Sequence, residues 1–456
     1  MVKDLTNGKP IVNIIRFCLP LMLGNLFQQF YNMADTVIVG KFVGKTALSA
    51  VGSVGSLNFL IIGSVIGLCT GFAIPIARCF GAEDYFSLKK YVSNILYISL
   101  VLGVILTFGA YFATDSFLHI LNTPDDIYTD SYNYISVIFA GIGATMLYNI
   151  LACIIRALGD SKTPLYFLIF SSFLNIGLDL LLIIVFKMGV TGAAVATVTA
   201  QAVSGFLCLI LINKRFPLLK RDKATRGFDG KVAADLFKNG LPMALQFSIT
   251  AVGSVMLQSC VNELGSDAIA AVTIGGKTQL MIVLPAETIG MTMATYCGQN
   301  IGAKKIKRIK DGVIQGTLLG LLYSVIAFFI ARYLGTYISY LFIDKSETAV
   351  IALSQQFLSN NSWYFPFLIF VFIFRNSLQG LGYSFTAMSA GIFELAARGI
   401  AGFGFVRRFG FDAVCFANPA AWAAADLLLI PAYFIVLRIL TKRNEKAPSE
   451  SECKKC

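Results

Sequence analysis

The amino-acid sequence predicts an all-α integral membrane protein with about 12 transmembrane helices in two parallel six-helix lobes. Its 456 residues are 56% hydrophobic and only 14% charged, whereas soluble domains carry about 25% charged residues. The segments 91–114, 131–155 and 188–213 contain no Asp, Glu, Lys or Arg, and each exceeds the ~20 residues that cross a bilayer. Short motifs also recur about halfway along the chain. These observations exclude a soluble globular protein.

Twelve apolar segments are long enough to span a membrane once one or two polar residues are allowed in each. The three uncharged segments are the third, fourth and sixth of them. The predicted spans are 14–38, 52–77, 91–113, 132–155, 164–186, 190–213, 240–262, 272–298, 312–334, 353–375, 385–405 and 414–438.

Basic residues are distributed unequally between the loops on the two sides of the predicted membrane. One side carries eight Lys and Arg residues from 214 to 238 and five from 304 to 310, whereas the 114–131 loop on the other side has none. Because cytoplasmic loops are enriched in Lys and Arg, we expect a protein of the plasma (inner) membrane with both termini in the cytoplasm. Arg407 and Arg408, in the last outer loop, are exceptions to this pattern.

Four motifs recur in the same order at an offset of 221 to 223 residues. The matches are Pro20 with Pro242, Gly44-x-x-Ala-Leu-x-Ala-Val with Gly265-x-x-Ala-Ile-x-Ala-Val, Gly81-Ala82 with Gly302-Ala303, and Leu158-Gly159-x-Ser-x-Thr with Leu381-Gly382-x-Ser-x-Thr. We therefore predict an N-terminal lobe at 1–222, a basic cytoplasmic linker at 223–239, a C-terminal lobe at 240–442 and a polar cytoplasmic tail at 443–456. Two parallel repeats of six spans are a transporter architecture, and we expect a monomer.

The first half carries two carboxylates inside predicted spans, where each ionisable group costs at least ~2.5–3.5 kcal/mol. Asp35 lies late in the first span, and Asp179 lies in the fifth with Asn175 one turn earlier on the same face. The span directions place these residues and Thr197 of the sixth span at one depth. Their hard oxygen atoms suit a small cation or a proton; the alternative is that they only hydrogen-bond neighbouring helices. Leu257 stands at the position matching Asp35, so the site is not duplicated.

The second half has a different set of intramembrane charged residues. Glu394 and Arg398 are one turn apart and are expected to pair within their helix. Glu287 follows Pro285, where we expect a broken helix, and has no obvious local partner. Asp426 lies in the last span. We assign Glu287 and Glu394 as candidate residues of a substrate cavity.

Other patterns argue against an enzyme and against a nucleic-acid partner. The segment Gly40–Thr46 resembles a phosphate-binding loop but has three residues between its glycines where four are required. The single histidine, His119, and the scattered cysteines, including Cys453 and Cys456, indicate no zinc site, disulfide framework or His-based nucleophile. Membrane orientation explains the net charge of +12. We expect no cofactor.

The motifs, taken in order, resemble those of the multidrug and toxic compound extrusion (MATE) family of secondary transporters over about residues 10–440. The family's fold has two six-helix lobes around a central V-shaped cavity, and its members export cationic, often aromatic compounds in exchange for Na⁺ or H⁺. The matching motifs are Pro20, Met33-Ala-Asp35-Thr-x-x-x-Gly40, Arg156-Ala-Leu-Gly-Asp160-Ser-x-Thr-Pro164, Asn175-x-x-x-Asp179, Gly192-Ala-Ala-x-Ala-Thr197 and Gly298-Gln299-Asn300-x-Gly302-Ala303.

Residue by residue, the resemblance implies a Na⁺ or H⁺ coupling site at Asp35, Asn175, Asp179 and Thr197, and a hinge at Pro20. The implied partners are small organic cations and membrane lipids. Acids that some branches of the family carry in the seventh and tenth spans are absent here. Two alternatives stay open, namely a flippase for lipid-linked saccharides of the wider superfamily and a channel or receptor without transport.

Overall fold

A computed structural model describes residues 4–220 and 222–446, and the regular structure of these residues is helical. Within these residues, ten helices are long and apolar enough to cross a membrane on their own, and the number is 12 if each of two bent helix pairs is one span. The predicted all-α membrane fold with about 12 spans is therefore confirmed. The end of the predicted tail, residues 447–456 with Cys453 and Cys456, lies outside the described residues.

The twelve spans, α1 to α12, each contain most of one predicted segment and extend beyond it, because the helices continue into flanking polar residues. The first six are α1 (Pro10–Ile38), α2 (Gly55–Gly81), α3 (Tyr85–Phe112), α4 (Asp125–Ala140 with Ile142–Ala157), α5 (Lys162–Asp179) and α6 (Gly189–Arg215). The last six are α7 (Gly230–Asn262), α8 (Ser266–Gly302), α9 (Ile306–Phe329), α10 (Thr348–Ser362 with Phe365–Gly380), α11 (Ser384–Gly399) and α12 (Phe411–Lys446).

Backbone irregularities of the first half recur in the second. α4 bends by 47° between its two segments, and α10 bends by 59°. α5 and α11 each continue into a π-helical stretch, at Leu180–Val185 and Ile400–Phe405. Residues with a positive φ recur at offsets of 221 to 223 as the pairs Gly44 and Gly265, Glu83 and Lys304, Gly159 and Gly382, and Gly189 and Gly410. The repeated motifs therefore correspond to a repeated backbone.

The repeated turn before α5 has a local physical cause. Gly159 has a φ of 82°, which a side chain would disfavour. The Asp160 carboxylate accepts hydrogen bonds of 3.0 Å from the backbone N–H groups of Lys162 and Thr163. Since the first N–H groups of a helix lack intrahelical partners, this carboxylate fixes where α5 begins.

The large side chains exposed on the outer helices are apolar, as a lipid-facing surface requires. On α3 these include Leu100, Ile105, Phe108 and Phe112, and on α9 they include Leu318, Leu322, Val325 and Phe329. Phe112 is 74% exposed, which water would disfavour and a lipid chain would not.

The described chain divides into two compact units, the first of which comprises residues 19–76 and 84–251. Within it, α2 packs closely on α7. A Cβ atom added at Gly71 would lie 2.5 Å from the Cα of Gly240, and one at Gly67 would lie 2.6 Å from the carbonyl oxygen of Met243. The two backbones can approach this closely only because these positions lack side chains.

The predicted linker at 223–239 overlaps the beginning of α7, which starts at Gly230. Side chains of α3 bind this region, since Lys90 Nζ lies 2.6 Å from Asp229 and the Tyr91 hydroxyl donates to Asp235 at 2.8 Å. The hydrogen bond from Lys90 lowers the pKa of the Asp229 carboxyl below its usual value. These contacts explain why residues 230–251 belong to the first unit rather than beginning a second lobe.

The second unit comprises residues 4–18, 77–83 and 252–446. The ends of α2 and α8 meet in it through a pair of reciprocal contacts. A Cβ atom added at Gly81 would lie 1.9 Å from the carbonyl oxygen of Gln299, and one at Gly302 would lie 1.9 Å from that of Arg78. The motif Gly-Ala, which recurs in both halves, therefore marks a close backbone crossing.

The segment before α1 also belongs to the second unit, although the sequence predicts it in an N-terminal lobe. Leu5 donates its N–H to Gln299 Oε1 at 2.9 Å, and its carbonyl accepts from Arg308 Nη2 at 3.1 Å. Lys305 donates to the carbonyl of Thr6 at 2.9 Å. These long-range hydrogen bonds hold residues 4–8 against α8 and α9.

The expected break at Pro285 is wrong, because α8 runs without interruption from Ser266 to Gly302. Proline removes one backbone hydrogen bond, here to the carbonyl of Met281, and the remainder of the helix persists. The Thr288 hydroxyl donates to the carbonyl of Leu284 at 2.8 Å in the next turn. α1 likewise passes through Pro20 as one helix.

Candidate functional site

Three helices of the first unit supply the residues that the sequence predicts for a cation site. Asp35 lies in the last turn of α1, and Asp179 is the last residue of α5, immediately before the π-helical stretch at Leu180–Val185. Asn175 lies one turn before Asp179, and Thr197 lies in α6. A π-helical turn widens a helix locally and is frequent at functional sites.

The structure brings these four residues together. Asn175 Nδ2 donates to Thr197 Oγ1 at 3.3 Å, which joins α5 to α6. The Asp35 and Asp179 carboxyl groups lie within hydrogen-bonding reach of each other, which joins α1 to α5. Asp179 and Asn175 are buried, with 0% and 1% of their surfaces exposed.

Sequence reasoning missed two tyrosines at this site. The Tyr31 hydroxyl lies 3.3 Å from Thr197 Oγ1, and Tyr134 of α4 is buried close enough to interact electrostatically with both acids. Tyr31 precedes Asp35 by one helical turn, so the i, i+4 spacing was a signal for it. Tyr134 carries no comparable signal, because only the packing of α4 brings it near.

Four buried oxygen atoms at this site have no hydrogen-bond donor within the described part of the chain. They are Asp35 Oδ1, Asp179 Oδ1 and Oδ2, and Asn175 Oδ1. Buried polar atoms are nearly always hydrogen-bonded, and two ionised carboxylates in contact repel each other. The arrangement therefore fits a positively charged ligand: a small hard cation held by several oxygens, or a proton shared by the two acids.

A cavity of about 230 Å³ borders the site within the first unit, and its walls include Pro20, Asp35 and Thr197. Two further lining side chains, Asn58 and Gln201, have a buried amide oxygen without a donor among the described residues. Ligand pockets for drug-sized molecules measure roughly 300–1,000 Å³. The cavity is therefore of a size and polarity for water and a small ion.

The two candidate substrate residues of the second unit have different surroundings. Glu394 is 4% exposed and is bonded to Arg375, with Arg398 Nη2 3.5 Å from its other carboxylate oxygen. The expected pair with Arg398 is therefore present, but Arg375 was missed because it lies on the preceding helix, 19 residues before Glu394, where helical spacing gives no signal. The doubly engaged Glu394 has the geometry of a structural residue. Glu287 is partly buried, and no basic partner is found for it in the described segments.

Comparisons with known proteins agree on the type of protein. A family model described as MatE matches residues 20–181 and 242–400, one stretch in each half. The probable multidrug resistance protein YoeA of Bacillus subtilis (strain 168) is 30% identical over 344 residues, which is 74% of each chain. The probable multidrug resistance protein NorM of Thermotoga maritima is 27% identical over 68% of each chain.

Solved structures show the same fold. The outward-facing conformation of a multidrug resistance MATE family transporter of the MOP superfamily aligns with a TM-score of 0.91. The alignment covers 96% of this chain and 98% of that one, with 22% sequence identity. At this identity the likeness shows the shared architecture only.

Proposed function

Because the chain belongs to the MATE family, whose members are membrane transporters and not enzymes, we propose that it exports small organic cations in exchange for Na⁺ or H⁺. Asp35, Asp179, Asn175 and Thr197 form the coupling site in this proposal. The observation that supports it most directly is the set of four buried oxygen atoms without a donor. An oxygen set of this kind binds a cation or a proton in order to be neutralised.

The coupling follows from the charge of the acid pair. When the site is empty, repulsion and burial disfavour the packing that holds Asp35 against Asp179, and an ion or proton relieves both effects. Occupied and empty forms therefore favour different positions of α1 relative to α5, and the ion shifts the equilibrium by its differential affinity for the two. Pro20 frees the carbonyl of Arg16 from helix hydrogen bonding, which makes it the hinge of α1 in this proposal.

Organic cations are the proposed substrates for two reasons. YoeA and NorM are named multidrug resistance proteins, and Glu287 offers a partly buried carboxylate without a basic partner in the described chain. A lipid-linked saccharide would instead require free basic groups for its pyrophosphate. Arg375 and Arg398 both act on Glu394, so we do not propose a flippase.

The proposal places the protein in the inner membrane as a monomer surrounded by lipid, with both termini and residues 214–238 in the cytoplasm. Eight basic residues lie in that connection, and none lies in the 114–131 loop. Basic loops stay on the cytoplasmic side during insertion. Labelling of single cysteines introduced at 223 and 122 from outside intact cells should modify only the second position.

Transport in proteoliposomes tests the coupling site. The parent chain should export a cationic dye under an imposed Na⁺ or H⁺ gradient, with the two gradients applied separately to identify the ion. Asp35→Asn and Asp179→Asn should insert normally, retain dye binding and lose gradient-driven export. Glu263→Gln changes an exposed acid of a surface pair with Arg407 and is the matched control. Parental export rates in either site variant would contradict the proposal.

A second experiment tests the substrate class. Glu287→Gln should weaken binding of a cationic dye by about tenfold, equivalent to ~1.4 kcal/mol, because it removes the charge while nearly preserving the shape. Binding of a neutral dye of similar size should not change. Equal losses for both dyes would assign Glu287 to folding instead.

A further inference from the structure

A second group of buried charges lies among α10, α11 and α12, outside the proposed coupling site. Arg375 of α10 bonds to one carboxylate oxygen of Glu394 on α11, and Arg398 lies 3.5 Å from the other. Each of the three residues is at most 8% exposed. Two guanidinium groups therefore share one carboxylate, which leaves one positive charge without a bonded counterion.

Asp426 of α12 is the fourth charged residue of this group, and it is not bonded to the others. It is 4% exposed, and neither carboxylate oxygen has a hydrogen-bond donor within the described chain. Arg375 and Glu394 lie close enough to act on its charge. The Nε–H group of Arg375 is also buried without an acceptor among these residues. The cluster therefore contains one hydrogen-bond donor, the Nε–H of Arg375, and two acceptors, the carboxylate oxygens of Asp426, that make no hydrogen bond within the described chain.

The charged groups around Asp426 favour a proton as its ligand over a metal cation or an anion. The positive charge of Arg375 acts on Asp426 and disfavours a metal cation there, whereas a proton needs only one oxygen lone pair and removes the burial cost of the carboxylate. The coupling-site acids differ, because in the described part of the chain only burial and the other acid act on each of them. An anion would have to compete with Glu394, which is already bonded to Arg375.

We propose that Asp426 is a second proton-binding site, located in the second half of the chain and separate from the Asp35 and Asp179 pair. A proton from water forms an O–H bond with one carboxylate oxygen of Asp426 while Arg375 stays bonded to Glu394. When the proton returns to water, the Asp426 carboxylate becomes charged and accepts from the Nε–H of Arg375. Arg375 thereby exchanges its bond to Glu394 for one to Asp426. As a result, α10 and α12 shift relative to α11.

Charged and titratable groups surround Asp426 on the helices packed against α12. Arg375 belongs to α10, and Glu394 and Arg398 belong to α11. On α12 itself, Tyr433 lies seven residues later with its hydroxyl unpaired in the described chain. From α8, Tyr296 and Cys297 act on Tyr433. Gln356 bonds to Asp412 and Lys310 lies near Arg438, towards the two ends of α12. These ends are 12 to 14 residues from Asp426, roughly 18–21 Å along the helix.

Trp422 provides a local reporter for the test. It lies one turn before Asp426, is 5% exposed, and its ring centre is 6.5 Å from that of Phe365 on α10. The chain has two tryptophans, so Trp363→Phe leaves Trp422 as the only one. Trp363 is 64% exposed, and its replacement should leave the fold intact.

The experiment titrates Trp422 fluorescence against pH in the Trp363→Phe protein, purified in a Na⁺-free potassium buffer without substrate or gradient. We expect one reversible transition, which Asp426→Asn removes and Asp179→Asn retains. No transition in the Trp363→Phe protein, or an unchanged transition in Asp426→Asn, would overturn the proposal. Because export is not measured, this result is independent of the proposed function.

A conservative variant decides the matter if Asp426→Asn fails to fold. Glu394→Gln removes the competing carboxylate, so Arg375 becomes available to stabilise ionised Asp426. The midpoint of the Trp422 transition should then move to lower pH. Glu263→Gln, which changes an acid on the surface, should leave the midpoint where it is. An unchanged midpoint in Glu394→Gln would refute the partner exchange and with it the proposed site.

Discussion

In the first half of the chain, Asp35 and Asp179 meet, and no basic side chain of the described residues acts on either of them. In the second half, Glu394 is bonded to Arg375 and also faces Arg398. Both groups are buried in membrane helices, where an isolated charge is costly. The second group reduces this cost with its own residues. The first group contains only acids and neutral oxygens, so its neutralisation depends on something that comes from outside the protein.

The two halves differ in their buried charges although their backbones have the same irregular features. The helix bends, the π-helical stretches and four positive-φ positions recur at nearly one offset. The two acids do not recur: the position matching Asp35 at an offset of 222 is Leu257, and the position matching Asp426 at an offset of 221 is Gly205. The two halves thus share a backbone geometry but differ in their buried charges.

The largest effect should come from breaking the buried ion pair of the second half. Arg375→Gln removes the closer partner of a carboxylate that is 4% exposed, and one-sided loss of a buried pair costs about 3–5 kcal/mol. We expect a large fall in melting temperature in detergent, with reduced yield. Arg407→Gln removes one member of an exposed pair with Glu263 and should have no measurable effect. Equal stability of the two variants would show that the buried pair contributes no more to stability than the exposed pair.

An intermediate effect is expected where the two halves are equivalent. Gly81→Ala and Gly302→Ala each place a Cβ atom 1.9 Å from a backbone oxygen, and such overpacking costs about 1–3 kcal/mol. Because the contacts are reciprocal, the two variants should lose similar stability in thermal unfolding. Gly52→Ala, with open space around the added atom, is the control. If only one of the two variants lost stability, the two glycines would not contribute equally, although their backbone positions are equivalent.

Removing an acid from the first half should raise the stability of the protein rather than lower it. Asp179→Asn relieves a repulsion with Asp35, so in Na⁺-free buffer at neutral pH the variant should be more stable than the parent by about 1–2 kcal/mol. Added Na⁺ or acid should stabilise the parent, since a ligand that binds only the folded state raises its stability. The variant should lose this response. A destabilised Asp179→Asn would mean that the parent already neutralises the pair internally.

The smallest effect concerns a pair outside the membrane. The pKa of Asp229 is lowered because Lys90 donates a hydrogen bond to its carboxylate. Its contribution to stability is therefore present at neutral pH and is lost as the pH falls below about 4, through the lowered folded-state value. Asp229→Asn and Lys90→Gln should each slightly reduce the difference between melting temperatures at neutral and acidic pH. Unchanged pH dependence in both variants would show that solvent screens this pair completely.

Local patterns were sufficient for much of the fold and part of the site. Uncharged segments of more than ~20 residues can only be membrane helices, and i, i+4 spacing places Asn175 beside Asp179 regardless of the rest of the chain. Pro285 shows the limit of such reasoning. A proline weakens a helix by a local rule, yet the surrounding residues keep α8 continuous.

The sequence by itself determined the membrane class, the twelve spans, the internal repeat and the identity of the buried acids, because each depends on composition or on spacing within one segment. Only the tertiary structure decided which distant side chains complete each group. Arg375 joins Glu394 from another helix, Tyr134 approaches the acid pair from α4, and Leu5 crosses to Gln299. The division into units also depended on packing. Residues 230–251 belong to the first unit because an ion pair beside them and close glycine contacts join this segment to it. Such contacts join residues of different segments, from 19 positions apart for Arg375 and Glu394 to 294 positions apart for Leu5 and Gln299, and no local periodicity predicts them.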